Sequence, residues 1–175
     1  MDEFCISFCN VVEKYCRYIV VSGFVAISSG RARATEDIDM IIDKIPFEKF
    51  RILHDDLVKH GFVCIQSDSS KDIFEYLDDN LAVRYTYRNQ PLPEMELKFA
   101  KDNLDQYQLN SRVKLPLTGL DIWFGSINMN ISFKEEFKRS EKDLKDAKHL
   151  RTVYPEKVDE SEIKKIKSMI KRLRL

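Results

Sequence analysis

Three acidic residues on two apolar segments are the best candidates for chemistry in this sequence. Asp37 and Asp39 alternate with apolar residues in the run DIDMIID at 37–43, and Glu96 lies within MELKF at 95–99. In a β-strand, residues two apart lie on one face about 7 Å from each other, so the two aspartates would share a face. Carboxylates so placed repel each other and resist desolvation, and a bound Mg²⁺ or Mn²⁺ ion would remove both penalties.

Glu96 would complete this set if its strand lies beside the strand of the aspartates. Three converging carboxylates can hold two metal ions roughly 3.5–4 Å apart and support an in-line phosphoryl transfer. Asp37, Asp39 and Glu96 are therefore the candidate metal ligands and catalytic acids. Two plainer interpretations remain open: the aspartates could lie at a solvated strand end, and Glu96 could form a surface pair with Lys98, which shares its face.

The strands that must position these acids follow from the apolar pattern. Short apolar or alternating runs predict β-strands at 19–21, 36–43, 62–66, 81–87 and 95–99. Pro91 and Pro93 are expected to bracket a turn before the last of these strands. A further hairpin is expected around Thr118-Gly119, between runs at 112–117 and 120–124.

Helical spacing predicts the remaining elements. Helices are expected at 2–17, 24–29, 47–60, 69–77 and from 126 to the end, with a break at Pro155. This order predicts an α/β (α+β) fold with a mixed β-sheet flanked by helices and a helical C-terminus. We expect one compact domain, in which residues 1–125 form the α/β core and residues 126–175 form helices packed on it.

Composition narrows the class of protein. The 175 residues are 43% hydrophobic, which is enough for a real core and excludes global disorder. No apolar run reaches the ~18 residues of a membrane span, and the acidic start is not that of a signal peptide. Four cysteines without CxxC spacing indicate free thiols in a reducing cytoplasm. We therefore expect a cytoplasmic protein with no membrane association.

Charge is balanced overall but unevenly distributed. From Lys134 onward the chain has 14 Lys and Arg against 9 Asp and Glu, whereas its earlier part is acidic. A basic tail joined to an acidic catalytic part would suit a polyanionic substrate that reaches a metal site. A helical tail with an ordinary solvated face explains the same surplus equally well.

The order of these motifs resembles the nucleotidyltransferase superfamily. That superfamily has a pair of small residues after its first strand, a DxD strand and a later strand carboxylate, which match Ser22-Gly23, Asp37-Ile38-Asp39 and Glu96. The closest resemblance is to the branch related to abortive-infection toxin nucleotidyltransferases, through RATEDID at 33–39 and, more weakly, KDLKDA at 142–147. The resemblance covers about residues 18–150. The pair departs from the usual Gly-Gly or Gly-Ser order.

The resemblance implies roles for residues around the acids. The Ser22-Gly23 turn would bind nucleotide phosphates through backbone N–H groups and the serine hydroxyl. Arg33 would reach a β- or γ-phosphate, and Thr35 would orient the turn. For Arg33 a solvated loop position is the alternative.

Two residues near the C-terminus complete the implied site. Lys134 would act in catalysis by neutralising the triphosphate, although a solvated position on a helix is the plainer interpretation. Asp143 would contribute to nucleotide binding, but Asp143 and Asp146 lie three residues apart among lysines and could form surface ion pairs.

The leading interpretation is a metal-dependent nucleotidyltransferase that transfers NMP from an NTP to a hydroxyl of RNA, protein or a small molecule. Its partners would be the NTP and a polyanionic acceptor such as tRNA, or a protein, in a toxin–antitoxin-like setting. A DxD glycosyltransferase is a second interpretation, although it leaves Ser22-Gly23 unexplained. A non-catalytic antitoxin or regulatory module with the same fold is a third.

Overall fold

A mixed five-stranded sheet lies at the centre of this computed structural model, which describes all 175 residues. Its strand order is β1-β2-β5-β4-β3. The strands are β1 (Tyr18–Val21), β2 (Asp37–Ile42), β3 (Phe62–Cys64), β4 (Val83–Tyr87) and β5 (Gln90–Phe99). β2 and β5 are parallel, and every other neighbouring pair is antiparallel. The expected mixed sheet with flanking helices is therefore confirmed.

Eight α-helices accompany the sheet. They are α1 (Asp2–Val12), α2 (Gly23–Ser28), α3 (Phe47–Lys59), α4 (Ser70–Asp78), α5 (Asn103–Asn110), α6 (Ile127–Phe133), α7 (Glu141–Val153) and α8 (Glu160–Arg174). A π-helical turn, Lys134–Lys138, continues α6, and short 3-10 turns occupy Pro116–Thr118 and Pro155–Lys157. None of these helices combines the length and apolar character that crossing a membrane requires.

The alternation in β2 gives the sheet two different faces. Ile38, Met40 and Ile42 are fully buried on one face, as the sequence pattern predicts. They join a core cluster of 36 buried residues that also includes Phe8 of α1 and Phe50 of α3. The aromatic side chains and the aliphatic strand residues thus fix which face of β2 is turned inward.

The C-terminal helices pack on the same core. Ile127 and Ile131 of α6, Leu150 of α7 and Ile163 of α8 belong to the 36-residue cluster. α8 also buries Ile166 and Ile170 in a small satellite cluster. These isoleucines recur at helical spacing, so α8 presents one apolar stripe to the protein and its lysines to solvent.

The opposite face of the sheet is only partly covered. Ile19 of β1 forms a small buried cluster there with Ala100 and Leu109, and Val21 and Ile41 pack against it. Helix α5 covers only part of this face, and the part that carries Asp39 and Glu96 lines a pocket.

The predicted hairpin at 112–124 is present only as one antiparallel bridge, between Val113 and Phe124. Pro116, which has no backbone N–H to donate, lies in a 3-10 turn, and only Val113 and Phe124 pair, with N–H to carbonyl distances of 2.9 and 2.8 Å. The other edge of the segment after this turn joins β1, because Val20 donates to the Trp123 carbonyl and accepts from the Gly125 N–H.

The turn predicted between Pro91 and Pro93 is also wrong. Both prolines lie within β5, which begins at Gln90, and the chain reverses at Arg88-Asn89. Asn89 has φ = 65°, a left-handed conformation that asparagine tolerates and that tight hairpin turns need. The turn residue is therefore the asparagine rather than the prolines.

Candidate functional site

Asp39 and Glu96 lie directly opposite each other on the parallel strands β2 and β5. Both line a pocket of about 270 Å³ on the partly covered face of the sheet. Burial and the neighbouring charge of Glu96 raise the pKa of Asp39. A desolvated carboxylate beside a second carboxylate is the electrostatic situation that a divalent cation relieves.

Asp37 occupies the edge of this arrangement. Asp37 is exposed, pairs in register with Glu94 rather than Glu96, and does not line the pocket. No group of three or more His, Cys, Asp or Glu side chains converges closely enough to hold a metal ion. The structure thus brings Asp39 and Glu96 together and leaves Asp37 apart from them.

Two cations of the protein already engage Glu96. Arg84 Nη2 lies 3.1 Å from Oε2, and Lys98 Nζ lies 2.5 Å from Oε1. Burial by itself would raise the pKa of Glu96, but the contacts with Lys98 and Arg84 outweigh it and lower the pKa. The surface pair that Glu96 and Lys98 were expected to form is therefore present, within the rim of the pocket.

The Ser22-Gly23 turn lies where β1 leads into α2. Ser22 has φ = 69° and ψ = −133°, a region that favours glycine, so its backbone is strained. The usual pair has glycine first, and here the serine occupies that position. The Ser22 N–H donates to Oδ1 of Asn130 at 3.1 Å, and the Ser22 side chain partly counteracts the rise in the pKa of Asp39.

Arg33 lies outside the lining of the pocket. Its guanidinium donates to the carboxylate of Asp146, which is fully buried. Arg31 pairs with the same carboxylate. The solvated-loop alternative for Arg33 is wrong, and its proposed contact with a phosphate stays a prediction.

Lys134 is almost fully buried at the start of the π-helical turn. Its ammonium lies 2.8 Å from Asp146 and 3.7 Å from Asp143, and the residue lines the pocket. The plainer expectation of a solvated helix lysine is therefore wrong. A buried charge without partners would be costly, so these two carboxylates explain why Lys134 can remain there.

Asp143 and Thr35 support neighbouring groups. Ser140 caps α7 by accepting the Asp143 N–H, and it also contacts the Asp143 carboxylate. Burial opposes ionisation of Asp143, but Ser140, Lys134 and Lys138 lower its pKa. Thr35 donates its hydroxyl to the Asp37 carbonyl at 3.2 Å, which orients the chain entering β2.

Sequence reasoning did not assign three contributors to this site; it considered Asp146 only for surface ion pairs, and Asp146 is fully buried. The sequence did contain a feature that could have identified Asp146, because this residue lies three positions after Asp143 in KDLKDA. Asn130 had a weaker one, as a polar residue within the buried run of α6. Arg84 had none: it reaches Glu96 only because β4 and β5 pair in that register.

Comparisons with known proteins agree with this architecture. No protein-family model and no curated protein sequence matches the chain. Among solved structures, the chain resembles antibiotic-resistance factor ANT(2'')-Ia, with a TM-score of 0.56 and 12% identity over 98% of this chain and 94% of that one. It also resembles an antigenic nucleotidyltransferase-like protein from Paracoccidioides brasiliensis, with a TM-score of 0.53 and 17% identity over 97% and 87% of the two chains. The chain therefore shares its overall fold with these two proteins.

Proposed function

We propose that the protein is a metal-dependent nucleotidyltransferase that transfers NMP from an NTP to an acceptor hydroxyl. The observation that carries this proposal is the pairing of Asp39 with Glu96 across β2 and β5 at the pocket. The strained Ser22-Gly23 turn beside them supports it, because strain of this kind is concentrated at functional sites.

Asp37, Asp39 and Glu96 would hold Mg²⁺ or Mn²⁺. Carboxylate oxygens are the donors these ions prefer, and both partial burial and the charge of Glu96 raise the pKa of Asp39, a penalty that a bound cation would relieve. When bound, the ion would neutralise the triphosphate and activate the attacking oxygen. Asp37 must approach the other two acids for this, which a strand end can allow.

Other residues of the chain would position the nucleotide. Lys138 lines the pocket and is near enough to lower the pKa of Asp39, and it is not within ion-pair distance of any carboxylate. Lys134, fixed by Asp146, adds a second positive charge to the wall. We assign both to the phosphates, together with the Ser22-Gly23 turn, whose Ser22 also lines the pocket.

Label transfer tests this proposal. Protein would be incubated with each NTP labelled at the α-phosphate, with Mg²⁺ or Mn²⁺, and with total tRNA, a protein extract or an aminoglycoside as acceptor. We expect label from one or more NTPs on one acceptor class and none with Asp39→Asn. Asp121→Asn is the matched control, because Asp121 is an exposed aspartate paired only with Lys114. Equal labelling by Asp39→Asn and wild type would refute the assignment.

A polyanion such as tRNA is our proposed acceptor. α8 carries Lys164, Lys165 and Arg172 on its exposed face, where they can guide a nucleic acid by charge. Four free cysteines suit the reducing cytoplasm in which such an acceptor occurs. A toxin–antitoxin-like setting is part of the same proposal.

A non-catalytic binding module is the second candidate, and one observation favours it. Both oxygens of Glu96 are already bound by Arg84 and Lys98, as in a site that needs no metal. This candidate predicts that nucleotide binds without metal and that no label is transferred to any acceptor. Binding and transfer measured on one sample distinguish the two functions.

A further inference from the structure

A row of charged side chains crosses three strands on the pocket face of the sheet. Asp39 of β2 is in register with Glu96 of β5, and Glu96 is in register with Arg84 of β4. Lys98 follows two residues after Glu96 on the same face. Glu96 therefore has a carboxylate on one neighbouring strand, a cation on the other, and a second cation further along its own strand.

Both carboxylate oxygens of Glu96 are engaged by these cations. Lys98 contacts Oε1 and Arg84 contacts Oε2, while the Glu96 side chain is only 15% exposed. Each carboxylate oxygen has a second lone pair, but a divalent cation that binds Glu96 must compete with the two positive charges that already neutralise this group. Metal binding therefore favours release of one of the two partners.

Arg84 and Lys98 differ in what each can bind after it leaves Glu96. Arg84 also contacts Glu94 at 3.4 Å and does not line the pocket, so it keeps a carboxylate partner without Glu96. Lys98 has no other carboxylate partner, it lines the pocket, and its side chain is 45% exposed. Its flexible ammonium is therefore free to turn toward an anion in the pocket.

We propose, in an inference that rests on the proposed function, that Lys98 leaves Glu96 when the metal binds and then binds the phosphates of the nucleotide. In the empty site Lys98 and Arg84 neutralise Glu96. When the metal takes Glu96, the displaced Lys98 binds the triphosphate. Metal and nucleotide then strengthen each other's binding, and each raises the affinity for the other by the same factor.

Calorimetric titration with Mn²⁺, with inorganic tripolyphosphate and with both tests this exchange without depending on the base or the acceptor. For wild type we expect weak Mn²⁺ binding alone and tighter binding with tripolyphosphate. Lys98→Met should bind Mn²⁺ alone about three- to tenfold more tightly and, at saturating Mn²⁺, tripolyphosphate about tenfold more weakly. Arg84→Gln should share the first effect but not the second.

Lys101→Met is the matched control, because Lys101 also lines the pocket and has no carboxylate within ion-pair distance. Its Mn²⁺ affinity should change less than about twofold, since only a distant charge is removed. Unchanged or weaker Mn²⁺ binding by Lys98→Met overturns the exchange while the proposed function stands. A wild-type protein that binds neither probe overturns both. Thermal unfolding of each variant confirms that the comparison is between folded proteins.

Discussion

The guanidinium of Arg33 lies directly over Gly23: a Cβ built on Gly23 would come within 2.9 Å of Nη2 and 3.2 Å of Cζ. The same guanidinium is bound to Asp146, which lies 113 residues further along the chain. An ion pair with α7 therefore holds the turn at the end of β1 in place. A side chain at position 23 would have to displace Arg33 from this ion pair.

Gly23→Val is expected to weaken nucleotide binding and to destabilise the fold. The valine would displace Arg33 from the buried Asp146, and overpacking of this kind costs about 1–3 kcal/mol. Urea unfolding and nucleotide titration on one sample measure the two effects. In an Arg33→Ala background the same substitution should cost less, because the colliding group is gone. Full additivity of the two changes would contradict this account of the turn.

Ser22→Gly is expected to stabilise the protein by about 1 kcal/mol, because relief of backbone strain outweighs the added entropy of the unfolded chain. Loss of the serine side chain should at the same time raise the pKa of Asp39 further, since this side chain now lowers that pKa. Denaturant unfolding at neutral pH checks the first effect. Ser22→Ala is the control, because it removes the hydroxyl and keeps the strain. Equal stability changes for Gly and Ala would show that φ at this position is unimportant.

Asp39→Asn is expected to abolish nucleotide-dependent Mn²⁺ binding and to raise the melting temperature of the metal-free protein. Burial and the charge of Glu96 both disfavour the ionised Asp39, and asparagine removes this penalty at neutral pH. Calorimetry and thermal unfolding measure the two effects. An unchanged Mn²⁺ affinity would remove Asp39 from the metal site. A lower melting temperature would contradict the electrostatic argument.

Glu135→Gln is expected to lower stability at neutral pH and to reduce its loss in acid. Burial alone would raise the pKa of Glu135, but Arg151 of α7 and Lys167 of α8 outweigh it and lower the pKa. A lowered carboxyl pKa contributes stability above its unfolded value, and this contribution disappears as the pH falls through the folded value. Unfolding free energies between about pH 7 and pH 3 test this. Parallel pH profiles for variant and wild type would contradict it.

Charge substitution on α8 tests its role in acceptor binding better than truncation, because removing α8 would expose Ile163, Ile166 and Ile170. Replacing Lys164 and Lys165 with glutamine should leave the core intact. If the acceptor is a nucleic acid, the salt dependence of its affinity should become shallower, by nearly one unit of log–log slope for each phosphate that α8 no longer neutralises. Affinity measured from low to high salt provides the slope. An unchanged slope would leave α8 with a structural role.

Several features of the site follow from the sequence alone. The two-residue period of β2 fixed which side of the sheet carries Asp39 and which carries Ile38 and Met40, because alternation is a property of the extended backbone itself. The same rule placed Glu96 and Lys98 on one face of β5. These assignments need no knowledge of the neighbouring strands.

The shortened hairpin shows where local patterns stop being sufficient. Residues 120–124 have a strand-like pattern and keep one antiparallel bridge to Val113, but their other edge pairs with Val20 of β1, which the pattern did not predict. Alternation indicates that a segment can pair, whereas its partner is chosen by which strand edge the folded chain brings near.

The partners of the charged residues were decided by the tertiary structure. Asp146 binds Arg31, Arg33 and Lys134 from two other parts of the chain, and Glu96 binds Arg84 through the pairing of β4 with β5. The strength of an ion pair depends on distance and on exclusion of water, and both are set by packing between distant segments. The sequence therefore determined which residues carry the charges and which way the strand acids face, and the packing determined which charge each of them meets.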